Sequence, residues 1–150
     1  MNTPDKRPIS FYALLTLLFF QSASGLYGGT ALLMDPTGNL LQIPMALLES
    51  SPFQDFLIPG IILFSILGIF PMIVFVGSWQ RKMWARPGAI LVSMALIIWI
   101  GVQIAMIGYE PEPPLQLVYG LVGVALLILT QLSAVRKILK SKPIHNETNN

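Results

Sequence analysis

Four apolar stretches dominate the chain, 9–34, 57–79, 87–108 and 115–135, and none of them contains an Asp, Glu, Lys, Arg or His. A helix rises about 1.5 Å per residue, so roughly 20 apolar residues cross a hydrocarbon core about 30 Å thick. Each stretch is long enough to do so. Only 11% of the 150 residues are charged and 54% are hydrophobic, whereas an average soluble domain is roughly 25% charged. A soluble globule of this length has too little interior to hide so much apolar surface, and the expected solvent is lipid. The length fits one domain.

The charges outside these stretches are sorted by sign. Lys6 and Arg7 precede the first stretch, Arg81, Lys82 and Arg86 lie between the second and third, and Arg136, Lys137, Lys140 and Lys142 follow the fourth, which accounts for every basic residue. The two remaining connections, 35–56 and 109–114, carry Asp35, Glu49, Asp55, Glu110 and Glu112 and no base. Lys and Arg are retained on the cytoplasmic side of a membrane. Both termini, the 80–86 loop and the basic tail 136–150 are therefore expected in the cytoplasm, and the acidic loops outside. Trp79 and Trp84 beside the basic loop, and Phe53, Phe56 and Tyr109 near the outer rim, fit interfacial aromatic belts. The net charge of +2 is too small to argue for a nucleic-acid partner.

The expected helices run over about 9–34, 52–79, 87–108 and 115–135. The first has a rival reading. Basic residues, an apolar run 11–20 and then Gln21-Ser22-Ala23-Ser24-Gly25 also have the form of a cleavable signal peptide, although apolar character resumes at Leu26. Asp35-Pro36-Thr37-Gly38 has the residue order of a β-turn. Residues 44–49 read as one or two interfacial helical turns opened by Pro44. Ser51-Pro52-Phe53-Gln54 matches a capping box, which predicts that the second helix begins near Ser51 with Asp55 in its first turn. Pro59 would then lie inside that helix and kink it, with Pro71 a second kink. The prolines of 109–114 end the third helix.

Several chemistries are excluded by what is missing. There is no cysteine, hence no thiol catalysis, disulfide or thiolate metal site. The single histidine, His145, lies in the polar tail, which rules out paired haem histidines and a Ser/His/Asp constellation. Ionisable residues inside spans mark proton relays and coupled ion pathways; none is found, which argues against a proton-driven pump. The glycines at 25–29 have no neighbouring Lys and form no phosphate loop. No catalytic residue, metal ligand or cofactor is assigned.

What remains is polar but uncharged. By depth, Gln103 on the third helix and Gln116 and Tyr119 on the fourth lie at a similar outer level, with Ser24 and Tyr27 on the first and Gln21 deeper. Asp35 and Asp55 would stand at the mouth of a shallow outer pocket lined by these groups. The candidate ligand-binding residues are thus Asp35, Asp55, Gln103, Gln116 and Tyr119. The plainer reading is that such amides and hydroxyls bond one helix to another. Gly25 and Gly29, Ser24 and Gly28, and Gly120 and Gly123 are spaced for close helix approach, expected within one bundle. Asp35 and Asp55 as a cation pair is the weaker alternative to solvated carboxylates. Asn146-Glu147-Thr148 has the glycosylation pattern, but on the cytoplasmic side it would go unused. The tail, with Ile138 and Leu139 among its bases, is suited to lie on anionic lipid.

Gly28-Gly29-x-x-Leu32-Leu33-x-Asp35-Pro36-x-Gly38, then Ser51-Pro52-Phe53-x-Asp55-Phe56-x-Ile58-Pro59-Gly60, resembles small uncharacterised four-helix integral membrane proteins of bacteria. Trp99, Gln103, Ile107-Gly108-Tyr109 and Leu115-Gln116 resemble the second half of the same pattern. The resemblance covers most of the chain and implies a multi-pass protein of the bacterial plasma (inner) membrane, but no activity and no site residue. The expectation is therefore an all-α, four-transmembrane-helix bundle with a structured extracytoplasmic loop between helices 1 and 2. The expected role is non-enzymatic, binding an apolar or amphipathic ligand in its outer half or assisting a membrane complex. Partners are membrane lipids, with a second copy or a partner membrane protein. The alternative is a small oligomeric transporter hinged at Pro59 and Pro71.

Overall fold

The computed structural model describes residues 6–140, which contain helices and no strand. Lys142, His145 and the Asn146-Glu147-Thr148 pattern lie outside the described residues. Helix α1 (Ile9–Met34) is followed by two short 3-10 turns, Asn39–Leu41 and Met45–Leu48. Helix α2 (Leu57–Phe64), a π-helical turn (Ser65–Ile69) and helix α3 (Phe70–Trp79) then form one continuous rod. Helices α4 (Ala85–Ile107), α5 (Leu115–Gln131) and α6 (Ser133–Lys140) complete the chain. Three segments, Ile9–Met34, Leu57–Trp79 and Ala85–Ile107, are long and apolar enough to cross a membrane. The pair α5 and α6, bent by 67°, makes a fourth if both belong to one span.

Helix α1 is the element on which most of the others pack. It packs on α2, the π turn and α3 along its length, and on α5 and α6 elsewhere, while α4 pairs chiefly with α5 and α3. Phe11, Leu14, Leu15 and Leu18 of α1 meet Val74, Val92, Leu96, Leu126, Val135 and Leu139 in the main core. The opposite faces are apolar as well. Phe19, Leu91, Ile98, Leu121 and Ile128 are each more than half exposed, an outward apolar surface beyond what water tolerates on a small monomer.

The α1–α2 seam is close because its residues are small. A Cβ on Gly29 would lie 2.5 Å from the Phe64 Cα, and one on Gly25 would overlap the Leu67 carbonyl. From the other side, a Cβ on Gly60 would lie 2.8 Å from the Leu32 Cβ. The expected glycine spacing is thus used for contact within one chain.

The second helix begins at Leu57 rather than near Ser51. Ser51 Oγ accepts from the Phe53 N–H at 3.2 Å, two residues on, and the reciprocal capping bond with Gln54 is not made. The cause is tertiary. Phe56 is buried with Leu32 and Leu48, beside Leu41, Ile43 and Phe53, in a small core belonging to the loop. The Phe56 N–H donates to the Pro36 carbonyl at 2.9 Å, and a helix over 52–56 would break both. Pro59 consequently falls at the third position of α2, where its missing N–H removes no helical bond. The expected interruption lies instead at Ser65–Ile69, upstream of Pro71.

The fourth helix also departs from 115–135. Helix α5 stops at Gln131, Leu132 is extended (φ −60°, ψ 134°), and the chain turns into α6. Arg86 Nε donates to the Thr130 carbonyl at 3.2 Å and its guanidinium reaches Gln131 Oε1 at 3.2 Å, so a cation occupies the end of α5 where carbonyls go unbonded. Past the break, Val135 and Leu139 are buried while Arg136, Lys137 and Lys140 stay exposed.

Candidate functional site

The bonds between elements place the acidic connections at one end of the molecule and the bases at the other. Pro36 meets Phe56 at the first end, and Arg86 meets Thr130 at the second. At the acidic end, Asp35 closes its own turn. Its Oδ1 accepts from Thr37 Oγ1 at 2.5 Å and from the Thr37 N–H at 3.1 Å, and its Oδ2 from the Leu40 N–H at 2.9 Å. The Thr37 hydroxyl, followed by the Leu40 amide, holds this carboxyl below the usual aspartate value. Asp55 Oδ1 accepts from the Leu57 N–H at 2.9 Å at the start of α2. The Pro36–Phe56 bond brings the two acids to neighbouring positions, each with an acceptor already engaged.

Gln116 is buried and spends both ends of its amide. Nε2 donates to the Gly108 carbonyl at 3.1 Å and Oε1 accepts from the Glu110 N–H at 3.0 Å. It ties α5 to the turn after α4, where Gly108 has φ +79°. The Tyr119 ring stacks on Phe20 of α1, with centroids 5.9 Å apart and planes 18° apart. Gln103 is half-buried on α4. Of the five candidates, Asp35, Asp55 and Gln116 bond within their own connections, and Tyr119 joins α5 to α1.

Two features were not singled out from the sequence. The first is a polar seam in the core. Gln21 Nε2 donates to the Leu67 carbonyl at 3.2 Å and Ser22 Oγ to the Gly68 carbonyl at 2.8 Å, both in the π turn. Pro71 has no N–H to give the Leu67 carbonyl, which is four residues earlier. The signal was present as Pro71 together with Gln21 and Ser22, but only their spatial pairing gives it meaning. Gln21 Oε1 is buried without a hydrogen-bond partner among the described residues.

The second lies toward the basic end, between α1 and α3. Tyr12, Leu15, Thr16, Phe19, Phe75 and Trp79 line an open groove of about 240 Å³. It is smaller than the roughly 300–1,000 Å³ of pockets that enclose a small molecule, and its shape is that of a furrow. An aromatic ladder forms its wall, with Phe19 to Phe75 at 5.6 Å and Phe75 to Trp79 at 6.4 Å between centroids. Arg7 closes the ladder, its guanidinium carbon 5.4 Å from the Trp79 ring and 5.5 Å from that of Phe11, within cation–π range. A second open hollow at this end is lined by Ser133, Arg136, Lys137 and Lys140.

No protein family model, curated protein or solved structure matches the chain.

Proposed function

We propose that this chain is a non-enzymatic, four-span protein of a bacterial inner membrane, with both termini cytoplasmic, that binds an amphipathic lipid-like molecule in the α1–α3 groove. The observation that carries the reading is the groove itself, an apolar furrow on the outer surface of two spans with a cation at one end. An occupant there would have an apolar body facing the bilayer and a polar head at the rim. Lys6, Arg7, Arg81, Lys82, Arg86, Arg136, Lys137 and Lys140 all lie toward this end, and no acid among the described residues does. That asymmetry supports a cytoplasmic assignment for the basic end, and hence a groove in the inner half of the bilayer. Helix α5, 17 residues long, spans about 26 Å at 1.5 Å per residue, and α6 then lies along the interface as an amphipathic helix.

This reading moves the ligand from the outer half to the inner half. A second site, formed by Gln103 and the Tyr119 hydroxyl, is favoured by one observation: neither group makes a hydrogen bond to a described residue. The transporter alternative keeps only one of its hinges, since Pro59 sits in the first turn of α2.

Mass spectrometry of the full chain released gently from detergent, after adding phosphatidylcholine, tests the groove. Thr16 is exposed and lines it, so Thr16→Trp should fill it without entering the core. Retained lipid should fall about tenfold in that variant, whereas equal retention would remove the groove from consideration. A periplasm-only reporter signal from a fusion after residue 150 would invert the topology.

A further inference from the structure

Resting on that reading, we infer that the groove selects an anionic phospholipid, with Arg7 receiving the phosphate and the aromatic furrow holding an acyl chain. Arg7 is placed for this by its neighbours. Trp79 and Phe11 hold the guanidinium through cation–π contact, which supplies no oxygen acceptor to its N–H donors. No carboxylate among the described residues pairs with it. A guanidinium presents a planar fork of donors that matches two phosphate oxygens. Held against two rings, it has already lost much of the rotamer freedom that binding would otherwise cost.

The furrow continues from this fork in the direction an acyl chain would take. Trp79 and Tyr12, each about half exposed, lie nearest Arg7, and Phe19 and Phe75 lie deeper along α1 and α3. Tyr12 to Phe19 covers about 10 Å of helix at 1.5 Å per residue, a length of chain rather than of a headgroup. The wall beyond Tyr12 is apolar, and Thr16, the one hydroxyl past that point, turns its Oγ1 back to the Tyr12 carbonyl at 2.9 Å. The polar groups that remain, the Tyr12 phenol and the Trp79 indole N–H, belong to the two residues nearest Arg7, at the headgroup end. Lys6, Lys82 and the exposed bases of α6 lie toward the same end and would raise the local concentration of anionic lipid without choosing its position.

The test uses the full chain in detergent, with phosphatidylglycerol, phosphatidylcholine and inorganic phosphate as probes and lipid retention read by mass spectrometry. The parent protein should prefer phosphatidylglycerol about tenfold. Arg7→Gln should abolish that preference by lowering phosphatidylglycerol retention about tenfold, because the phosphatidylcholine phosphate is already neutralised by its own choline ammonium, and Arg7→Lys should keep only part of it. Thr16→Trp should lose both lipids; if it keeps both with the preference intact, the groove fails and the Arg7 headgroup site survives alone. A preference that persists in Arg7→Gln would assign it to the diffuse basic field and overturn the inference. So would displacement of the lipid by millimolar inorganic phosphate, which would make a free anion the ligand. Efficient disulfide cross-linking between copies carrying Tyr12→Cys would instead place a second copy in the furrow and also overturn it.

Discussion

The side-chain amide of Gln21 donates to the main-chain carbonyl of Leu67 at 3.2 Å, across 46 residues of sequence. That carbonyl is one that Pro71 leaves without its helical donor. Gln21 therefore repairs a bond broken on a neighbouring helix, and Ser22 Oγ donates to the next carbonyl, that of Gly68, at 2.8 Å. Replacing Gln21 by Met keeps the volume and removes the donor. An unbonded buried carbonyl costs about 1–3 kcal/mol, and bonds between membrane helices are commonly worth less than that. Reversible unfolding in mixed micelles should show Gln21→Met less stable by roughly 0.5–2 kcal/mol. A stability equal to the parent's would mean that water or another group satisfies Leu67.

The glycines of the chain divide by what stands opposite them. Gly25 faces the Leu67 carbonyl, whereas nothing lies within 4 Å of a Cβ added to Gly101. Gly25→Ala should destabilise by about 1–3 kcal/mol through overpacking against backbone. Gly101→Ala, in a helix interior, should stabilise by roughly 0.5–1 kcal/mol. Unfolding midpoints that shift in the same direction for both would contradict the seam as described.

Gln116 holds the α4–α5 connection by both ends of one amide. In Gln116→Leu the Glu110 N–H and the Gly108 carbonyl lose their partner together. The Glu110 amide should exchange with solvent at least about tenfold faster, corresponding to roughly 1.4 kcal/mol of local protection. Exchange confined to the parent rate would show that the turn stands without the glutamine.

Asp35 titrates below its ordinary value, chiefly because of the Thr37 hydroxyl and then the Leu40 amide. A depressed carboxyl contributes order that is fully present above the unfolded-state value and is lost as pH falls through the folded one. The 35–40 turn should therefore stay closed at neutral pH and loosen only in acid, below the normal aspartate range. Asp35→Asn should remove that acid transition from amide exchange at Leu40, and Thr37→Val should move it upward. A transition unmoved by Thr37→Val would locate its cause elsewhere.

The first helix was legible to the residue because its limits are set by local composition, charged or turn-forming on both sides. The start of the second was not. Ser51 to Gln54 carries every local cue of a helix cap, but burying Phe56 beside Leu32 and Leu48 prevails. The break at Leu132 was equally hidden, because apolar character continues past it. Arg86, distant in sequence, meets the carbonyl end of α5. Among the candidate site residues, depth along each helix was readable and bonding partners were not. Gln116 could be read as lying in the first turn of its helix, yet nothing local announced that both halves of its amide would be consumed by Gly108 and Glu110. The groove escaped entirely, since its lining comes from two helices well separated in sequence and each contributes ordinary exposed aromatics.

By itself, the sequence determined the apolar character of the long segments, which of them are long enough to cross a membrane, and the segregation of cation from anion between alternate connections. Those follow from transfer free energies that each segment carries wherever it packs. Tertiary structure alone decided where helices start and bend, which glycines touch backbone, which amides are already spent and where Arg7 meets a furrow. Each of those depends on a partner brought close only by folding, and a hydrogen bond or a steric contact has no value until its second member is in place.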